Sequence, residues 1–153
     1  MAADLRISVQ TGEFDPGAET LALHRGARET GAVATFMGLV RDMPGDPLHS
    51  MTLEHYPGMT EKALQQIALQ AGERWPLGRI TVIHRVGTLQ PLDPIVFVGV
   101  SSAHREAAFA ACQFIMDYLK RDAPFWKKER SSSGDRWVEQ KESDRLKAKS
   151  WDH

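Results

Sequence analysis

Lys120, Lys127, Lys128, His104, Arg105 and Arg41 are the residues whose types and positions suit chemistry on an anion. Lys120 falls in the last turn of a long helical pattern, at the border between its polar and apolar faces. A cation there is favoured by the helix dipole and can pair with Asp117 three residues back, which is a purely structural explanation. The functional alternative is an ammonium partly desolvated beside an apolar partner surface. Such a group binds an anion or, once deprotonated, serves as base or nucleophile. Residue chemistry by itself favours the structural explanation. Lys127 and Lys128 follow Phe125-Trp126, and in an extended strand adjacent lysines point to opposite faces, so one of them is solvated.

His104 and Arg105 stand near the start of the helical pattern, where unpaired backbone N–H groups favour an anion. Cations there work against the dipole, which suits a site awaiting a phosphate; simple solvation explains them equally well. Arg41 closes a buried-strand pattern and opens a Gly/Pro loop, where a functional side chain has rigid support and where any charge can cap a strand. Cys112 sits centrally in the apolar arc and reads as a small hydrophobe, not as a sulfur nucleophile. The sequence contains no GxSxG elbow, GxxxxGK loop, CxxC or HExxH pattern, which weakens hydrolase, nucleotidase and structural-zinc readings. A single cysteine excludes an internal disulfide framework.

The element that must position most of these groups is the helix predicted after Ser101-Ser102, which can cap it, with Ala103, His104 and Arg105 in the first turn and Pro124 as the stop. On a helical wheel Ala108, Ala111, Cys112, Ile115 and Leu119 cluster together. Ala107, Phe109, Phe114, Met116 and Tyr118 widen the apolar arc to roughly 200°, where a surface helix needs roughly 100°. Such a helix is expected to pack on its own sheet and also to meet a partner chain. Upstream, Leu5 to Gln10 alternates like a half-buried strand, and Asp15-Pro16 caps a short helix reaching about Arg25. Gly31 to Val40 reads as an inner strand and Leu48 to Tyr56 as a strand broken by Pro57-Gly58. From Thr60, apolar residues at Leu64, Ile67, Ala68, Ala71 and Trp75 follow helical spacing up to Pro76. Ile80 to Val86 and Pro94 to Ser101 are strands, and Phe125 to Glu129 with Arg136 to Gln140 flank the turn-like SSSGD as a terminal hairpin. Helices between some strands and direct succession of others predict an α+β domain with a mixed sheet. Residues 141–153 are expected as a charged tail on this single domain, 1–153.

With 19 Lys and Arg against 20 Asp and Glu, the net charge is −1, so no global basic field draws the chain to nucleic acid or membrane. Any anion site must be local. The start MAADLRISV carries no signal core, and the longest apolar run, Ile95 to Val100, is far too short for a bilayer, so a cytoplasmic location is expected.

Several segments together resemble the large, catalytic subunit of molybdopterin synthase: TFMGLVR (Thr35 to Arg41), LEHYPGMTEKAL (Leu53 to Leu64), RWPLGRITVIHRVG (Arg74 to Gly87), VFVGVSSAHREAAF (Val96 to Phe109), DYLKRDAPFWKKE (Asp117 to Glu129) and GDRWVE (Gly134 to Glu139). They run in order over most of the chain from Gly31 to about Asp144. The resemblance implies an α/β-hammerhead fold and a central homodimer, each protomer capped by a small ubiquitin-like sulfur carrier ending in Gly-Gly, a heterotetramer in all. It implies that the carrier's thiocarboxylate delivers two sulfurs in succession to cyclic pyranopterin monophosphate, making the dithiolene of molybdopterin. It further implies Lys120 and Lys127 as the catalytic pair, with Leu39, Val40, Arg41, His104, Arg105, Lys128 and Glu129 lining the substrate site. No cofactor or protein-bound metal is implied. Two departures touch the periphery: the loop Asp42 to Ser50 has unfamiliar wording, and Lys141 stands where an arginine is expected. The rival reading is a non-catalytic dimeric module that binds a phosphorylated or acidic partner with the same basic residues.

Helix geometry adds a constraint. His104 and Lys120 are sixteen residues apart, or about 24 Å along a straight helix, with side chains roughly 160° apart. A pterin monophosphate does not span that distance. If both serve one site, a two-fold dimer brings His104 and Arg105 of one chain to Lys120, Lys127 and Arg41 of the other.

Overall fold

The computed structural model describes residues 3–42, 48–131, 134–138 and 142–151. In chain order the elements are β1 (Asp4–Gln10), α1 (Pro16–Ala22), β2 (Ala32–Leu39), β3 (Leu48–His55), α2 (Met59–Arg74) and β4 (Arg79–Arg85). Then come β5 (Gly87–Leu89), β6 (Pro94–Ser102), α3 (Arg105–Asp122), β7 (Phe125–Ser131), β8 (Gly134–Val138) and α4 (Glu142–Lys149). Two four-stranded sheets result, ordered β1-β4-β6-β2 and β5-β3-β7-β8. In the first, β1 runs parallel to β4 while β4, β6 and β2 are antiparallel neighbours; the second is antiparallel throughout. The fold is therefore α+β with a mixed sheet and a terminal hairpin, as the alternation of patterns predicts.

Local chemistry explains most boundaries. Asp15 Oδ1 accepts from the N–H groups of Gly17 and Ala18 at 3.0 and 3.2 Å, with Pro16 at the first helical position of α1. In α2 the buried residues Leu64, Ile67, Ala68 and Ala71 form the expected stripe. They pack with Ile80 and Val82 of β4, Val96, Val98 and Val100 of β6, and the buried face of α3 in one core. A smaller cluster of Leu23, Ile83 and Phe97 fills the opposite face of the first sheet.

The start of α3 differs from expectation. Ser101 and Ser102 remain in β6, and His104, with extended backbone, is the cap residue, so the helix begins at Arg105. The serine hydroxyls have other partners: Ser101 Oγ accepts from Arg79 N–H at 2.8 Å and Ser102 Oγ donates to Pro76 O at 2.8 Å. Strand pairing to β2 as far as Ser102 overrides their capping preference.

The apolar arc of α3 is also covered differently. Sheet one lies along it through β6 and β2, while α2 and α4 cover more of it. Ala108, Ala111, Cys112, Phe114, Ile115, Tyr118 and Leu119 are buried within the chain, leaving Phe109 and part of Met116 open. The segment read as a charged tail supplies much of that cover. Helix α4 buries Ala148, and Trp151 beyond it meets Trp75 and Phe114 edge-on at 5.7 and 5.6 Å. The Trp151 indole N–H donates to Asp117 Oδ2 at 2.7 Å, and Arg74 Nη1 donates to the Trp151 carbonyl at 2.9 Å. Charge density hid this helix from periodicity, because one alanine and one tryptophan carry the docking.

Candidate functional site

At one end of the first sheet, His84 of β4 pairs with Val96 of β6, and Val96 pairs with Gly38 of β2. Gly38 is required there: a Cβ would stand 2.7 Å from Val96 Cγ1. The ladder shifts between Gly38 and Leu39, so Leu39 and Arg41 emerge exposed on either side of Val40. Val40 itself is 2% exposed; its N–H donates to Asp93 O at 2.9 Å and its carbonyl accepts from Leu92 N–H at 2.7 Å. With side chain and backbone so occupied, its contribution is to anchor Leu39 and Arg41.

Helix α3 follows β6 and packs back along it, which carries Lys120 to this same end of the sheet, where its side chain is exposed. Beyond Ala123-Pro124 the chain enters β7. There Phe125 lies opposite His55, Lys127 opposite Leu53 and Glu129 opposite Met51. Leu53 and Met51 are buried, so Phe125, Lys127 and Glu129 share the inner face of the second sheet. Trp126 and Lys128 point outward, Trp126 with its ring 4.5 Å from that of Tyr56. Of the two adjacent lysines, Lys127 faces inward and Lys128 is exposed.

His84 completes this junction, and no sequence motif had marked it. Alternation along β4 sets it on the face of Ile80 and Val82, beneath the helices, where it is 5% exposed. Its ring stacks on Phe125 with centroids 3.9 Å apart and planes at 22°, and Nδ1 is 2.8 Å from Arg85 O. Burial pushes its pKa down to about 4; the Arg85 carbonyl opposes the shift, and Lys120, Lys127 and His55 add to it. Lys127 comes to this ring by register, two residues along β7 from the stacked Phe125, and Lys120 by the return of α3 along β6 to the same end of the sheet. A histidine at an inward phase of the apolar strand RITVIHR was the available signal.

His104 and Arg105 stand exposed at the far end of α3. The helix contains neither glycine nor proline to bend it. Within one chain the structure thus joins Lys120, Lys127 and the end of β2 that carries Arg41, and keeps the two helix-start cations apart from them. Cys112 lines a separate groove between α3 and β2 with Ala34, Thr35, Phe36, Phe109, Gln113 and Met116. Burial raises its thiol pKa to about 11, and Sγ donates to Val98 O at 3.8 Å, as suits a packed thiol. Glu139 and Lys141 lie outside the described residues, as does the loop at 43–47. Among the described residues no group of three or more His, Cys, Asp or Glu is placed to hold a metal ion, and no helix is long and apolar enough to cross a membrane.

A family model described as MoaE protein matches residues 9–122. The molybdopterin synthase catalytic subunit of Pseudomonas aeruginosa is 56% identical over 149 residues, covering 97% of this chain and 99% of that one. The protein of the same name from Escherichia coli K12 is 64% identical over 124 residues, covering 80% and 83%. Among solved structures, the molybdopterin biosynthesis MoaE protein from Burkholderia ambifaria superposes with a TM-score of 0.83 at 49% identity, covering 100% of this chain and 99% of that one.

Proposed function

The chain belongs to the MoaE protein family, and from that premise we propose that it is the catalytic subunit of a molybdopterin synthase, working in molybdenum cofactor biosynthesis as a sulfurtransferase. The observation that carries the chemistry is the placement of Lys120, from the end of α3, and Lys127, from the inner face of β7 two residues from the Phe125 that stacks on His84, toward the same end of the first sheet. Two ammonium groups held by different elements suit an anionic sulfur donor and the oxyanion formed from it.

In this reading the donor is the C-terminal thiocarboxylate of a small ubiquitin-like carrier ending in Gly-Gly, and the acceptor is cyclic pyranopterin monophosphate. The donor sulfur bonds to an electrophilic carbon of the acceptor as the C–O bond at that carbon breaks, the oxygen leaving as water after taking up a proton, and the carrier stays joined as a thioester. Water then adds to the acyl carbon through a tetrahedral oxyanion. The C–S bond breaks there, freeing the carrier as a carboxylate and leaving sulfur on the substrate. Lys120 and Lys127 hold the thiocarboxylate and stabilise that oxyanion. The carrier's tail runs beside Phe125 and Trp126, where Gly-Gly passes and a side chain would not. Leu39, Arg41, Lys128 and Glu129 line the substrate site around Val40's anchored strand end. His104 and Arg105 bind the substrate phosphate from the second chain of a homodimer, and one carrier on each protomer makes a heterotetramer.

The test is reconstitution. Incubation of this protein with thiocarboxylated carrier and the cyclic precursor yields molybdopterin, and the same mixture with an ordinary carboxylate carrier yields none. Absence of product with a thiocarboxylated carrier shown to bind would refute the assignment.

A further inference from the structure

We infer that His84 is a positioning residue for Lys120 and Lys127, offering an uncharged nitrogen acceptor to the ammonium groups that α3 and β7 carry to the end of the first sheet. The inference rests on the reading of those lysines as the catalytic pair. Because the partner of Nδ1 is the Arg85 carbonyl, which only accepts, the Nδ1 atom carries the ring proton and Nε2 keeps a bare lone pair. The face-to-face stack on Phe125 stops the ring from turning that lone pair away. Nε2 bonds to nothing among the described residues, yet no side-chain nitrogen or oxygen sealed in their interior lacks a partner. It therefore keeps some contact with solvent and is not sealed in the core.

Its neighbours there include two cations. Phe125, whose ring it stacks on, lies two residues from Lys127 on the same face of β7, His55 lies opposite Phe125, and the charge of Lys120 reaches the ring as well. An imidazolium at this point would repel both lysines, whereas the neutral ring attracts them, and burial keeps it neutral down to about pH 4. Packing alone does not account for a histidine here: a phenylalanine would stack equally well and bring no polar nitrogen to a nearly buried position.

Two variants separate the roles. His84→Phe keeps an aromatic ring on Phe125 and removes the acceptor; His84→Gln returns an acceptor close to the Nε2 position. In reconstituted synthase, His84→Phe is expected to lower kcat about 10- to 100-fold, the effect of deleting one hydrogen bond to a charged group, with KM for the carrier unchanged. His84→Gln is expected to recover most of that loss. Turnover of a folded His84→Phe protein within about twofold of the parent, or equal damage from both variants, overturns the positioning role. A second arm needs neither turnover nor a stable variant at position 84, so it stands even if the sulfur-transfer reading falls. In long-range nitrogen–proton spectra of the histidine-labelled parent protein, His84 is expected to show protonated Nδ1 and bare Nε2. The Nε2 resonance should move in Lys120→Met and Lys127→Met and stay in place in Lys62→Met on the exposed face of α2. A proton found on Nε2, or a resonance indifferent to both catalytic lysines, refutes the inference.

Discussion

His104 and Lys120 stand at opposite ends of one helix uninterrupted by glycine or proline, about 24 Å apart along its axis. No bend relieves that separation, so a site that uses both draws them from two chains. The open remnant of α3, Phe109 and Met116, adjoins exposed Phe36 on β2, an edge of the first sheet among the described strands. Such an edge is a natural surface for a second copy. Mixing inactive Lys120→Ala with inactive Arg105→Ala protein under subunit exchange should restore activity toward the statistical share of heterodimers. Proven exchange without recovery would show that the site lies within one chain.

Lys120→Ala should lower turnover by about 100-fold or more, as loss of an oxyanion partner in a closed site does. It should change stability by less than about 1 kcal/mol, because the side chain is exposed at a helix end. Lys127→Ala should lower turnover alike. Paired assays of product formation and urea unfolding decide this, and near-parent turnover removes the residue from the chemistry.

Cys112→Ala should leave sulfur transfer intact and cost about 1 kcal/mol of packing. Its thiol, held near a pKa of about 11 by burial, should also react slowly with alkylating reagents in the native state at neutral pH. Loss of activity in a well-folded Cys112→Ala protein would instead indicate a persulfide relay.

The unfolded chain protonates His84 below about pH 6.5, the folded chain only below about pH 4. Between those values the unfolded state binds more protons, so the contribution of His84 to stability is lost as pH falls through this window. From about pH 7 to about pH 5 the parent should lose on the order of 2 kcal/mol more than His84→Phe does. Identical pH slopes in urea unfolding of the two proteins would refute a buried, neutral His84.

Trp151→Ala removes an indole packed on Trp75 and Phe114 and a hydrogen bond to buried Asp117, and should cost on the order of 3 kcal/mol. Trp151→Phe keeps a ring and loses only the N–H donor, so its cost should be about 1–2 kcal/mol. Denaturant midpoints of the two variants measure the difference. Equal midpoints would mean that the Asp117 bond contributes nothing.

Whatever depends on near neighbours was legible in the chain. Asp15-Pro16 announces α1, the 3.6-residue period announces α2 and most of α3, and alternation announces the longer strands. The basic residues of DYLK and PFWKKE were visible as chemistry for the same reason, and the three-residue β5 was missed because so short an edge has no pattern to show. Alternation also dictated that Lys127 and Lys128 part company. Which of them faces inward was settled only when β7 paired with β3, because Leu53 and Met51 point to the core and carry Lys127 and Glu129 with them. The capping serines were lost to β6 because pairing with a distant strand outweighed a local hydroxyl preference. Helix α4 formed on a charged segment because Trp151 found Asp117 thirty-four residues away. His84 came to the candidate site at this end of the sheet because the Arg85 carbonyl and Phe125, from separate elements, hold its ring beside the strand that carries Lys127. These outcomes depend on contacts between residues remote in sequence, and local spacing carries no information about which remote segment will arrive.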